Sequence, residues 1–170
     1  MSLTTILFAV GCQTNEDWQE MPHLPLYSAN GTATTLADYH EGAPLAVNFY
    51  DKDCEDCVTS DEITAWNSLE QHVDVLGVLV DFDQAGTEAY IGWGDYLGMN
   101  YNTRIANPED YAYYLAALYN AEMPDELPSP LIHVYNSDTL LGREYEGTLL
   151  DNEDKMYRAL ELENQDCQCE

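Results

Sequence analysis

Cys54-Glu55-Asp56-Cys57 places two thiols two residues apart, close enough to close into a disulfide and open again. In that chemistry a thiolate attacks a disulfide sulfur, and the neighbouring thiol then resolves the mixed disulfide. Cys54, nearer the tip of its loop, is the expected nucleophile, and Cys57 the resolving thiol. Asp51, Asp53, Glu55 and Asp56 crowd Cys54, with Lys52 the only nearby cation. Each exposed carboxylate at ~6 Å opposes the thiolate by roughly 0.5–1 kcal/mol. Several of them together offset a helix-dipole contribution of about 1 kcal/mol. A reduced pair without thiolate stabilisation has a low reduction potential, so the dithiol is expected to lean toward reductant. Glu55 is the candidate for acid–base help, its alternative being a solvated loop carboxylate.

The elements flanking the pair follow from periodicity. Residues 45–50, Leu-Ala-Val-Asn-Phe-Tyr, form an apolar run suited to a buried strand. Residues 58–72 carry Ile63, Trp66 and Leu69, with Val73 directly after them, near helical spacing. Strand, loop, thiols and helix therefore come in that order, with Cys54 just before the positive end of a helix and Cys57 inside its first turn. Residues 73–80 are a second buried strand, which makes a right-handed βαβ unit. Its acidic end puts Asp81 and Asp83 at the carboxyl edge of the sheet beside the thiols, as lining residues or as a solvated strand end.

Further along, a helix is expected over 87–97 and a short strand over 101–105. A second well-marked helix spans 108–120, with Pro108 at its first position and Asn107 as cap. Tyr111, Leu115, Leu118 and Tyr119 mark its core face; Tyr113 and Tyr114 add an aromatic surface, for packing or for a partner. Residues 131–135 read as a strand, 136–138 as a turn, and 139–145 as its antiparallel return with a bulge at Gly142. Residues 151–162 are a closing amphipathic helix with Met156, Tyr157 and Leu160 inward. His133, inside a strand, is expected to be a bonded core histidine.

Two blocks resemble the thioredoxin fold and, within it, the periplasmic TlpA/ResA-like thiol:disulfide oxidoreductases. Residues 24–44, with a turn at Asn30-Gly31 and a connector at Gly42, look like that family's lead-in hairpin, and Val47-Asn48-Phe49-Tyr50 with Cys54-Glu-Asp-Cys57 looks like its active-site strand and motif. The resemblance implies an α/β fold, thioredoxin-like, with a central mixed sheet flanked by helices and an N-terminal β-hairpin extension. It also implies a cis-proline opening a strand against the thiols, for which Pro130 is better placed than Pro128, with the backbone of Ser129 left to pair with an extended substrate. Asn48 takes the strand position of the buried acid of classical thioredoxins. Two departures stand out: Asp53 replaces the family's usual Trp before the first Cys, and Glu62 stands near its usual Pro.

The chain has 170 residues, 45% of them hydrophobic, enough for one domain with a sizeable core. Its 32 acids against 5 bases give a formal charge of −27. That charge excludes nucleic acid, which binds clustered Lys and Arg, and it attracts basic protein partners or serves as a solubility surface. Small residues before Cys12 resemble a lipobox, with Cys12 acylated; the alternative is an ordinary N-terminal segment. The division expected is 1–22 signal, anchor and acidic tether, 23–163 thioredoxin-like domain, and 164–170 a tail carrying Cys167 and Cys169. These auxiliary thiols could relay electrons, chelate a soft metal or stand idle.

The expected function is thiol:disulfide exchange with protein partners in the periplasm or cell envelope. Electrons would come from a membrane donor, the membrane would be touched only through a lipid anchor, and no cofactor is needed beyond the redox-active disulfide. No spacing matches a structural zinc site. The alternative is copper binding by Cys54 and Cys57, completed by His133 or the tail thiols. Peroxidase chemistry would need Pro and Thr ahead of the reactive Cys, and neither is there.

Overall fold

A computed structural model describes residues 19–28, 31–40, 43–51, 53–81, 98–136 and 140–163, without the side chains of 140–141 and 159–163. The expected helix over 87–97, Asp83, Lys52, Gly42, Cys12, Cys167, Cys169 and the side chain of Leu160 lie outside the described residues. The described strands are β1 (Gln19–Glu20), β2 (Pro25–Tyr27), β3 (Ala33–Thr35), β4 (Leu45–Asp51), β5 (Asp74–Val80), β6 (Asn102–Ala106), β7 (Leu131–Tyr135) and β8 (Leu140–Glu146). The α-helices are α1 (Ser60–Leu69), α2 (Pro108–Tyr119) and α3 (Leu149–Glu163).

One mixed sheet holds the strands in the order β1-β8-β7-β4-β5-β6-β2-β3. β4, β5 and β6 run parallel, while β7 lies antiparallel to β4 and to β8. The expected N-terminal hairpin is β2–β3, and it joins the far edge of the sheet through β6. β4 lies inside the sheet, which is why its six residues from Leu45 to Tyr50 are all buried. The opposite edge differs from the sequence reading. Gln19–Glu20, expected to be tether, pairs with Leu140 and Leu141 as an edge strand, because backbone pairing asks nothing of its polar side chains.

The pleat of β4 splits the core into two layers. Leu45, Val47 and Phe49 face α2 with Leu76, Val78, Tyr111, Tyr114, Leu115 and Leu118. Ala46 belongs to the layer of α1 and α3 with Trp66, Leu69, Ile132, Val134, Leu149 and Met156. α2 starts as predicted, Asn107 Oδ1 accepting the Glu109 N–H at 2.8 Å with Pro108 in the first turn. Its aromatic face is corrected: Tyr114 is buried, whereas Tyr119, placed inward from the sequence, is 40% exposed. Tyr111, Tyr114, Leu115 and Leu118 follow i, i+3, i+4, i+7, and the Tyr114 hydroxyl can be buried because it finds His133 and Tyr135. Gly142 is the bulge, since Val134 pairs with Arg143 and Tyr135 with Leu141.

Candidate functional site

β4 ends at Asp51, and the turn after it is tied to that residue. The Asp53 N–H donates to Asp51 Oδ1 at 2.8 Å, and the Cys54 N–H to the Asp51 carbonyl at 3.3 Å. A 3-10 turn, Glu55–Val58, follows, in which the Cys57 N–H donates to the Cys54 carbonyl at 3.2 Å. Cys54 and Cys57 are joined as a disulfide with Cα atoms 5.4 Å apart. The two sulfurs are placed unequally: Cys57 is buried with Tyr50, Leu79 and Ile105, while Cys54 is half-buried at the rim of that cluster.

The helix expected to start at the thiols begins later. Thr59 caps α1, its Oγ1 accepting the Glu62 N–H at 3.3 Å, so Cys57 sits in the 3-10 turn and not in the first α-helical turn. A single 3-10 turn carries little macrodipole, and its Cys57 N–H is already used. Cys54 therefore meets less thiolate stabilisation than the sequence order implied. Asp53, Glu55 and Asp56 are exposed around it, and Asp51 is half-buried. Glu55, between the two cysteines in the sequence, is exposed.

The strand opposite completes the site. The Ser129–Pro130 peptide is cis, the choice preferred over Pro128, and Ser129 Oγ accepts the Asp51 N–H at 2.9 Å. The loop carrying Cys54 and the segment opening β7 are thereby bonded together. Asn48 is buried on β4, between Ile132 and Gly77 in register, and its Oδ1 has no hydrogen-bond partner among the described residues. Asp81, at the end of β5, is buried at the same edge, where its N–H donates to the Ala106 carbonyl.

Two polar groups away from the thiols also shape this region. Glu62, seen in the sequence only as a departure from a proline pattern, is buried. Its Oε1 accepts from Trp66 Nε1 at 2.8 Å and from the Leu149 N–H at 2.6 Å, and its Oε2 from the Leu150 N–H at 3.0 Å. Burial still lifts its pKa above the usual carboxylate value, against the lowering by these donors. The signal Thr59-x-x-Glu62 is present, but it reads as a capping box for α1; the carboxylate caps α3 instead.

His133 is buried and bonded as expected. Its Nδ1 lies 2.6 Å from Tyr114 Oη, which also bonds Tyr135 Oη, while Nε2 lies 3.3 Å from Tyr119 Oη and 3.2 Å from Glu144 Oε2. Burial pulls its pKa down to about 3, which keeps the ring neutral. Both ring nitrogens are thus engaged away from the thiols. Among the described residues, no group of three or more His, Cys, Asp or Glu side chains could hold a metal ion. The copper alternative is not supported: Cys54 and Cys57 bond each other, and His133 does not complete a donor set with them.

No protein-family model and no curated protein matches the sequence. Solved structures do. A secreted thiol-disulfide isomerase from Corynebacterium glutamicum superposes with TM-score 0.61 at 20% identity, over 83% of this chain and 85% of that one. The thioredoxin domain of a thiol-disulfide oxidoreductase from Bacteroides vulgatus gives 0.58 at 17% identity, over 84% and 93%. A thioredoxin-family thiol:disulfide interchange protein from Chlorobium tepidum gives 0.60 at 15% identity, over 86% and 99%. The chain has a thioredoxin-like fold.

Proposed function

We propose that this protein is a thiol:disulfide oxidoreductase that exchanges Cys54 and Cys57 with protein disulfides, leaning toward reductant. The observation that carries the reading is the disulfide itself, with Cys54 at the rim, Cys57 buried behind it, and Ser129-Pro130 bonded alongside. The similarly folded neighbours named as thiol:disulfide proteins support it.

In the reduced protein the Cys54 thiolate attacks one sulfur of a partner disulfide. The partner S–S bond breaks, and its other sulfur leaves as a thiolate that takes up a proton. Cys57 loses its proton and attacks Cys54 Sγ, closing the protein disulfide and releasing the second partner thiol. Two electrons have moved from the protein dithiol to the partner. Glu55 can hold the exchanged proton near the pair, and a dithiol donor must then reduce Cys54–Cys57 again; a membrane protein fills that role in this reading.

The acidic rim of Asp51, Asp53, Glu55 and Asp56 favours partners whose cysteines are flanked by Lys or Arg. Lipid attachment at Cys12 would place the domain in the periplasm or cell envelope, with Cys167 and Cys169 as auxiliary thiols. The described residues include no helix long and apolar enough to cross a membrane. The test is reduction of a protein disulfide, such as insulin, by the dithiol form, followed by thiol trapping and mass. Stoichiometric oxidation of Cys54 and Cys57, absent in Cys54→Ser, supports the reading; an unreacted dithiol beside intact insulin refutes it.

A further inference from the structure

Three side chains from three elements meet at the carboxyl end of α2, apart from the thiols. His133 on β7 and Glu144 on β8 stand opposite each other in register, and Tyr119 is the last residue of α2. His133 Nε2 lies 3.2 Å from Glu144 Oε2 and 3.3 Å from Tyr119 Oη, and the Tyr119 hydroxyl donates to Glu144 Oε2. Donors about 2.1 Å from one ion stand roughly 3.0–3.4 Å from each other in octahedral or tetrahedral geometry. Both spacings from the imidazole match that range.

The ring is also held as a metal ligand is held. Its Nδ1 is bonded to Tyr114 Oη at 2.6 Å, and Tyr114 is bonded in turn to Tyr135, so two buried phenols fix the imidazole from behind. In the tautomer with the proton on Nδ1, the Nε2 lone pair faces two oxygens. Tyr119 gives its proton to Glu144, so neither oxygen has one to offer that lone pair. The imidazole is buried, yet Tyr119 is 40% exposed and the Glu144 side chain 35%, which leaves the cluster open to solvent on one side. The last turn of α2 holds no basic residue, and its negative dipole end favours a cation, as does the formal charge of −27.

We propose that His133, Glu144 and Tyr119 form a binding site for a hard, highly charged cation, ferric iron, with Tyr119 bound as phenolate. One imidazole nitrogen and two anionic oxygens suit such an ion better than a soft one. The tyrosine completes the donor set, since His133 and Glu144 alone supply two ligands. On binding, the Tyr119 proton leaves to solvent, and Nε2, Oε2 and Oη each share an electron pair with the metal; no electron is transferred. The site uses no atom of Cys54 or Cys57, so it stands independently of the redox reading.

The experiment adds ferric nitrilotriacetate to the full chain with Cys54–Cys57 oxidised and the remaining thiols alkylated. Iron on a phenolate gives a visible charge-transfer band that iron on carboxylates lacks, so the band singles out a tyrosine ligand in a chain this acidic. We expect one iron per chain with that band, its loss in Tyr119→Phe, and an affinity about ten- to a hundredfold lower in Glu144→Gln. Backbone NMR signals around His133 and Glu144 should broaden in the wild type, a readout that needs no variant. No binding, colourless binding, a band that persists in Tyr119→Phe, or broadening centred elsewhere overturns the proposal.

Discussion

Glu62 on α1 accepts the N–H of Leu149, the first residue of α3, at 2.6 Å, across a separation of 87 residues. The same carboxylate takes the Leu150 N–H, so one side chain satisfies two of the orphan amides that open α3. Thr148 and Asp151 complete the cap locally, Thr148 Oγ1 donating to Asp151 Oδ2 at 2.9 Å. Glu62 thereby pins the helix that follows the thiols to the helix that closes the chain.

Replacing Glu62 by Gln removes one acceptor and turns an amide NH2 toward a backbone N–H. The expected cost is about 2 kcal/mol, the scale of a buried hydrogen bond to a charged group. Urea denaturation of the reduced protein measures it, and a change below half a kilocalorie would mean that solvent already shares these amides. Because burial raises the Glu62 pKa, its linkage term has its own sign. The native state holds the proton more tightly than the unfolded chain, so that contribution is full below the unfolded pKa and fades as pH rises through the folded one.

His133 gives the opposite sign. Its folded pKa is pulled down to about 3, so the native state refuses a proton that the unfolded chain binds near pH 6.5. Its contribution is complete above that value and declines as pH falls toward 3, by up to about 1.4 kcal/mol per pH unit. Glu144, the facing carboxylate, has a raised pKa and offsets part of this, while burial pushes the pKa of Tyr114 and Tyr135 up and away from this range. His133→Gln should flatten the stability profile between pH 6 and 4 by about one proton relative to wild type. Parallel profiles would show that the ring is protonated in the native state.

The acidic turn should be visible in the reactivity of the thiol. Converting Asp53 or Asp56 to Asn is expected to lower the pKa of Cys54 by about half a unit each, from roughly 0.5–1 kcal/mol per exposed carboxylate. Alkylation rates against pH measure this in the reduced protein. Added salt should shrink the difference, as it does for exposed charges beyond contact. A wild-type Cys54 that titrates well below pH 6 would contradict the electrostatic argument.

The same charges predict partner preference. A peptide disulfide flanked by Lys should react faster than its Glu-flanked counterpart, by about tenfold at low ionic strength, with the ratio falling toward one in 0.5 M salt. The gain should lie in the association rate, and a salt-independent ratio would assign it to direct contacts.

What the sequence disclosed was what local patterning encodes. The apolar runs of β4 and β5, the Asn107-Pro108 start of α2 and the bulge at Gly142 each follow from neighbouring residues, and the structure keeps all of them. Of the site, the spacing of Cys54 and Cys57 was legible in the same way, whereas the cis peptide at Pro130 was expected only through the family resemblance; the Asp51–Ser129 bond ties the segment carrying it to the end of β4. Relationships across the fold were hidden. Glu62 sits in a pattern that signals its own helix cap, and only tertiary structure brings α3 to it. Tyr114 and Tyr119 differ by five positions on one helix, and which phenol is buried depends on where His133 and Tyr135 arrive from β7. The 3-10 turn between Cys54 and Thr59 was equally invisible, because the helical spacing of Ile63 and Trp66 says nothing of where the first turn tightens.

The most direct test of the central claim is a redox titration of the protein in glutathione or dithiothreitol buffers, read by thiol trapping and mass. The account predicts a single two-electron transition at or below about −250 mV, in the thioredoxin range, that disappears in Cys54→Ser and persists when residues 164–170 are removed. A transition near −120 mV, the potential of a strong oxidant, would contradict the reductant assignment, and the absence of any reversible transition would contradict the exchange chemistry itself.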